Sequence, residues 1–158
     1  MNKATSKFVD FDNARYADQT AVMEQSEAAG LCPFCMENLS KFHKESIEWE
    51  GEYWVVTKNG WPYVNTKIHL LVILKEHQES IDELSEAAAA ELFTALKWAI
   101  AQYKIPGGGL AVRFGDTNYS AGTVLHLHAH IIQPDIHAPN YADNPVKFKI
   151  GKYKKLPK

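Results

Sequence analysis

The chain has 158 residues, 46% hydrophobic and 23% charged, which suits one compact domain whose core needs no disulfide staples. A formal net charge of −2 argues against a broad nucleic-acid footprint, yet leaves room for a single nucleotide held by a few convergent groups. No apolar run approaches the roughly 18 residues of a membrane span. The polar start Met1 to Asp12 lacks a signal-peptide core, so the cytoplasm is the expected compartment and no membrane partner is expected.

In chain order, Phe11 to Gly30 reads as a helix, with Ala14, Ala17, Ala21 and Ala28 near one face and Gly30 as its stop. The loop Leu31-Cys32-Pro33-Phe34-Cys35 follows. Two β-rich runs, Ser46 to Glu50 and Tyr53 to Thr57, flank Gly51-Glu52 and predict a hairpin. Asn59 to Tyr63 breaks regular structure, and Ile68 to Lys75 is a near-continuous apolar strand. Ser80 to Tyr103 is helical in period through Leu84, Ala88, Leu92, Leu96 and Ile100, with Ser85 as cap. Pro106 and the Gly107 to Gly109 triplet stop it. The triplet does not follow a strand and open a helix, so it is no phosphate loop. Short strands over Leu110 to Phe114 and Val124 to Gln133 complete the elements. The basic, proline-punctuated tail from Ala138 to Lys158, with Lys147, Lys149, Lys152, Lys154 and Lys155, is expected to drape over the surface or a partner subunit. This order predicts a small α+β domain with a mostly antiparallel sheet, residues 1–137, followed by the tail at 138–158.

The last strand carries His126-Leu127-His128-Ala129-His130-Ile131-Ile132. Residues two apart share a strand face, so three imidazoles line one surface while Leu127, Ala129 and Ile131 face the other. A neutral imidazole is nucleophilic near pH 7, and phosphorus accepts in-line attack. The same alternation could instead hold a catalytic zinc, with an open position for water, but that would leave Cys32 and Cys35 unexplained. In a reducing compartment the Cys-x-x-Cys pair reads as a metal half-site or a redox motif. As a half-site it needs two further ligands from elsewhere, for which His69 and His126 are the best suppliers and His77 and His43 are substitutes. The redox reading is discounted because a helix, not a strand, is predicted to precede the pair.

His-φ-His-φ-His-φ-φ resembles the signature of the histidine-triad family of nucleotide hydrolases and transferases. The run Ile68-His69-Leu70-Leu71-Val72-Ile73-Leu74-Lys75-Glu76-His77 looks like the family's upstream strand, with Ile68 and Leu74 in place of its glycine and proline. Asn59 to Tyr63 is similar to a nucleotide-contacting segment of the family's diadenosine-polyphosphate branch. The resemblance implies a five-stranded antiparallel sheet with two main helices, a homodimer, and an AMP-containing substrate attacked at its α-phosphate. It implies that His128 carries the covalent nucleotide and His130 contacts a phosphate oxygen. Thr123 lies where the family has a Ser or Thr contacting the phosphate or leaving group. Asn59 is implied to meet the ribose; Asn118 and Ser120 read equally as further donors to the nucleotide or as ordinary turn residues, and Trp61 reads first as a core or interface aromatic and second as a frame for the base. The family's zinc-bearing members imply a structural zinc on Cys32, Cys35, His69 and His126. The same resemblance is compatible with a nucleotide-binding regulatory protein of little turnover.

Overall fold

Five strands pair into one antiparallel sheet: β1 (Ile47–Glu50), β2 (Trp54–Lys58), β3 (Thr66–Leu74), β4 (Gly109–Arg113) and β5 (His128–Pro134), in the order β1-β2-β3-β5-β4. Four helices accompany it: α1 (Ala17–Ala29), α2 (Met36–Phe42), the long α3 (Glu86–Tyr103) and the single turn α4 (Thr117–Ser120). The computed structural model describes residues 7–152, so Lys154 and Lys155 of the tail lie outside the described residues. Among these, no helix is long and apolar enough to cross a membrane.

The pleat divides the sheet's two faces cleanly. Trp54, Val56, Leu70, Val72, Leu127, Ala129 and Ile131 pack with Leu92, Ala95 and Ala99 of α3 in the main core. Val55, Leu71 and Ile73 point to the other face and meet Leu39 of α2, with Phe34 and Met36 alongside. Because β3 and β5 pair with Leu71 opposite His130 and Ile73 opposite His128, the histidines of β5 share this second face. The site is therefore roofed by the N-terminal third of the chain and not by α3.

Several expected boundaries move. The first helix begins at Ala17, preceded by a 3-10 turn at Phe11–Asn13 and an extended Tyr16. Gly30 does end it, in the left-handed region at φ 64°. A second helix opens at Cys35, where the sequence shows only a seven-residue stretch burying Asn38 and Leu39. The Cys-x-x-Cys loop thus does lead into a helix, although α1, and no strand, precedes it. The glycine triplet is more than a helix stop: a Cβ on Gly108 would come within 2.2 Å of the Ile132 carbonyl oxygen, so glycine is what lets β4 approach β5.

The tail folds back over its own chain. Lys152 Nζ donates to Asp10 Oδ2 at 2.6 Å and Asp12 Oδ2 at 3.2 Å, the Lys152 amide donates to Asn118 O, and Asn65 Nδ2 donates to Asn144 O. Burial pushes the Asp10 carboxyl up, but hydrogen bonds from Lys152, Thr117 and the Asp12 amide outweigh it and hold it below its ordinary value. A depressed carboxyl contributes stability above its unfolded value of about 3.9, lost as pH falls through the lower folded value. The urea midpoint of Lys152→Ala should therefore lie below that of the unsubstituted chain from about pH 5 upward, and the gap should begin to shrink near about pH 3.9 and close only below the lower folded value.

The β1–β2 turn depends on α3. Glu91 accepts from the amides of Glu52, Tyr53 and Trp54 at 2.9, 2.7 and 3.0 Å. Glu91→Ala strands three amides and should cost about 1–3 kcal/mol in urea unfolding, with Glu91→Gln costing less.

Candidate active site and metal centre

Beneath α1 and the Cys-x-x-Cys loop lies a cavity of about 450 Å³ that reaches both His128 and His130, a size suited to one small ligand. Its apolar part is formed by Val22, Met23, Pro33, Phe34, Phe42 and Leu71, and Asn59, Trp61 and Thr123 also line it. The predicted donors Asn118 and Ser120 do not. Asn118 turns its amide onto Asp116 Oδ1 at 2.8 Å, and Ser120 Oγ accepts from the Gly122 amide.

Each triad histidine has a distinct role fixed by its hydrogen bonds. His128 Nδ1 donates to the His126 carbonyl at 2.7 Å, which fixes the tautomer and leaves the Nε2 lone pair free. Burial lowers its pKa to about 4 against the opposing effect of that hydrogen bond, and the Arg113 charge lowers it further, so the ring is neutral at pH 7. His130 is set through a relay. The Tyr63 amide donates to His69 Nδ1 at 3.0 Å, so His69 carries its proton on Nε2 and donates to His130 Nδ1 at 2.9 Å. His130 must then hold its own proton on Nε2, a buried atom with no hydrogen-bond partner among the described residues. Burial, joined by the charge of Arg15, brings His69 to about 3. Burial and its neighbours' charges hold His130 well below its ordinary value. A neutral imidazole N–H left unmatched in a cavity is a donor suited to a ligand oxygen.

His126 faces the other way. Its Nε2 donates to Leu74 O at 2.6 Å, and its Nδ1 lies 3.4 Å from Cys32 Sγ and 3.8 Å from Cys35 Sγ. The fourth member of this cluster is His77, with Nδ1 at 3.5 Å from Cys35 Sγ and 3.2 Å from His126 Nδ1. The structure does not bring His69 there. β3 turns His69 towards His130 and Asn59, whose Nδ2 lies 3.1 Å from His69 Nε2, while His77 lies three residues beyond the strand's end. Among the described residues, Cys32, Cys35, His77 and His126 are the one grouping whose ligand atoms all lie within 4.8 Å of each other. A tetrahedral ion with bonds of about 2.0–2.3 Å has ligand edges of roughly 3.3–3.8 Å, which these separations match. The outer contacts fit as well: the Leu74 carbonyl orients His126, and Glu79 Oε1 lies 3.5 Å from His77 Nε2. Burial raises both thiols, Cys35 to about 12, a state that a bound cation would reverse.

Sequence reasoning did not find Arg15, Arg113 or Phe148 as site residues, and reached Tyr63 only as the end of the Asn59 to Tyr63 segment. Tyr63 stacks on His130 at 5.8 Å between centroids, and Arg15 lies over the Tyr63 ring at 4.1 Å. Phe148 of the tail meets His130 edge-on at 5.5 Å, with the Arg113 guanidinium 3.9 Å over its ring. Isolated arginines and a tail aromatic leave no periodic signal in a sequence.

A search of curated protein sequences finds no match. A hypothetical histidine triad nucleotide-binding protein from Sulfolobus tokodaii is 27% identical with a TM-score of 0.52, covering 78% of this chain and 81% of its own. A hypothetical protein from Leishmania major, 23% identical, shares the fold at a TM-score of 0.54 over 75% of this chain and 79% of its own. A Zn-bound histidine triad family protein from Mycobacterium smegmatis does so at 0.51 and 19% identity, over 77% and 84%. The HIT domain pattern matches residues 50–137, more than half of the sequence and all five histidines from His69 to His130, and the chain belongs to that family.

Proposed function

We propose that this chain is a nucleotide hydrolase or nucleotidyl transferase that acts on the α-phosphate of an adenosine nucleotide derivative through a covalent intermediate on His128. The observation that carries the reading is the His128 Nδ1 hydrogen bond to the His126 carbonyl, which presents a neutral Nε2 lone pair to a cavity of nucleotide size. His130, with its unmatched Nε2–H, is suited to hold a non-bridging phosphate oxygen as charge grows there. Thr123 and Asn59 line the same cavity as candidates for the phosphate or leaving group and for the ribose. The apolar half under α1 would take the base. A homodimer through the outward side of α3, where Phe93 and Ile100 are exposed, belongs to the same reading.

Zinc on Cys32, Cys35, His77 and His126 completes it. Such an ion has four protein ligands and no open position, so its contribution is structural: it ties the N-terminal loop to the entry of β5. Three histidines sharing a catalytic zinc is disfavoured, since His126, His128 and His130 aim at different partners. Elemental analysis of protein purified without added metal should give about one zinc per chain. His77→Ala and Cys35→Ser should lose the metal and His69→Ala should retain it; retention in His77→Ala would refute the ligand set.

His128→Ala should abolish turnover of adenosine phosphoramidates and anhydrides while sparing AMP binding. His130→Ala should lower the rate by on the order of 10²–10³. Quenching a labelled substrate in alkali, where a phosphoramidate survives, should leave the label on the peptide carrying His128. Tight AMP binding with no label under single-turnover conditions would instead make the chain a nucleotide-binding regulatory protein.

A further inference from the structure

Only two of the chain's 17 basic residues are arginines, and both Arg15 and Arg113 line the cavity that holds His128 and His130. Arg15 precedes α1 and Arg113 closes β4, and the two meet at Tyr63. Arg15 lies over its ring, and Arg113 NH2 donates to its hydroxyl at 3.2 Å. Neither guanidinium has a carboxylate partner among the described residues. Arg15 donates to the Trp61 carbonyl at 2.6 Å, and Arg113 NH1 donates to the carbonyls of Ser120 and of Lys149. All these acceptors are neutral, so both charges remain uncompensated. Lys147 and Lys149 line the same cavity, and its one acidic residue, Asp12, is bridged by Lys152. A chain of net charge −2 has thus concentrated cations around one cavity.

We propose that Arg15 and Arg113 form a clamp for an anionic leaving group, so that the favoured substrates are phosphoanhydrides and not phosphoramidates. This rests on the hydrolase reading above and deepens it. In the first step His128 Nε2 bonds to the α-phosphorus, and the bond from phosphorus to the bridging oxygen breaks with its electron pair on that oxygen. A phosphate leaving group departs as an anion and needs positive charge beside it. In the second step water gives its oxygen to phosphorus and a proton to solvent, and the Nε2–P bond returns its pair to His128. An amine leaving group needs a proton instead, which a guanidinium does not release at neutral pH. Guanidinium geometry also matches phosphate oxygens two at a time, where a lysine offers a point charge. Arg113 spends three of its five N–H donors on Ser120, Lys149 and Tyr63, which holds it in place and leaves two for a ligand.

The test compares kcat/KM on adenosine 5′-phosphoramidate, ADP, ATP and diadenosine triphosphate for the full chain and for Arg15→Gln, Arg113→Gln and Arg113→Lys. The clamp requires the unsubstituted chain to favour an anhydride by at least about tenfold. Arg113→Gln should lower anhydride kcat/KM by on the order of 10²–10³ and phosphoramidate kcat/KM by at least about tenfold less than that, with Arg113→Lys recovering part of the anhydride loss. Arg15, at the exposed rim, should act mainly on KM, and its substitution tests the clamp even if Arg113→Gln loosens the tail. ADP, ATP and diadenosine triphosphate decide whether the departing anion is orthophosphate, pyrophosphate or a second nucleotide. Equal losses on both bond types, or no anhydride preference, overturn the clamp. Calorimetry on His128→Ala separates the two readings: ADP binding at least tenfold tighter than AMP, lost on adding Arg15→Gln and Arg113→Gln, supports the clamp even if no substrate labels His128. Equal affinity for ADP and AMP overturns the clamp while leaving a labelled His128, and with it the hydrolase reading, intact.

Discussion

The pairing of β3 with β5 is the constraint from which the site follows. With Leu71 opposite His130 and Ile73 opposite His128, the imidazoles of β5 and His69 of β3 fall on the face away from α3. A slip of one residue would exchange that set for Leu127, Ala129 and Ile131, placing histidines in the main core and aliphatic side chains in the cavity. Both halves of the pattern therefore hold the register: the aliphatic residues lose burial if it slips, and the His69–His130 hydrogen bond is lost with it. Gly108 guards the other edge of β5, since any side chain there would collide with the Ile132 carbonyl.

Once the register is set, one backbone link couples the metal centre to the candidate nucleophile. His126 is held at both ring nitrogens, by Leu74 O on one side and by the cysteine cluster on the other. Its carbonyl is the acceptor that fixes His128. Any loosening of the cluster therefore reaches His128 through the His126 carbonyl, two residues before it. An ion held by the four ligands, with no open position, would act on His128 only through this link.

What the sequence made legible was whatever has a short period. The alternation over residues 126–132 identifies a strand with two unlike faces, and the 3.6-residue repeat places α3 with its Ser85 cap, which accepts from the Ala88 amide. The partner of the cysteines was not legible, because His69 and His77 lie on the same upstream run. Only the β3–β5 register shows that His69 belongs to His130, leaving His77 to reach the cluster from the loop. The helix α2 was missed because seven residues with one buried leucine make no clear repeat. The returning tail was missed because its anchors join residues as far apart as Lys152 and Asp10, through single contacts with no local pattern.

The division of labour along the chain follows from the same geometry. Residues 50–137, which match the family pattern, contain every histidine of the triad and of the His69 relay. They do not contain the two cysteines, the apolar roof from α1, Arg15, or the lysines and Phe148 of the tail. The N-terminal and C-terminal flanks meet over β5 and are latched to each other by Lys152 with Asp10 and Asp12. A sheet that fixes imidazole tautomers through backbone carbonyls and amides can serve any leaving group. The walls of the cavity are built largely by side chains that approach from outside the sheet, and here most of those side chains belong to the flanks.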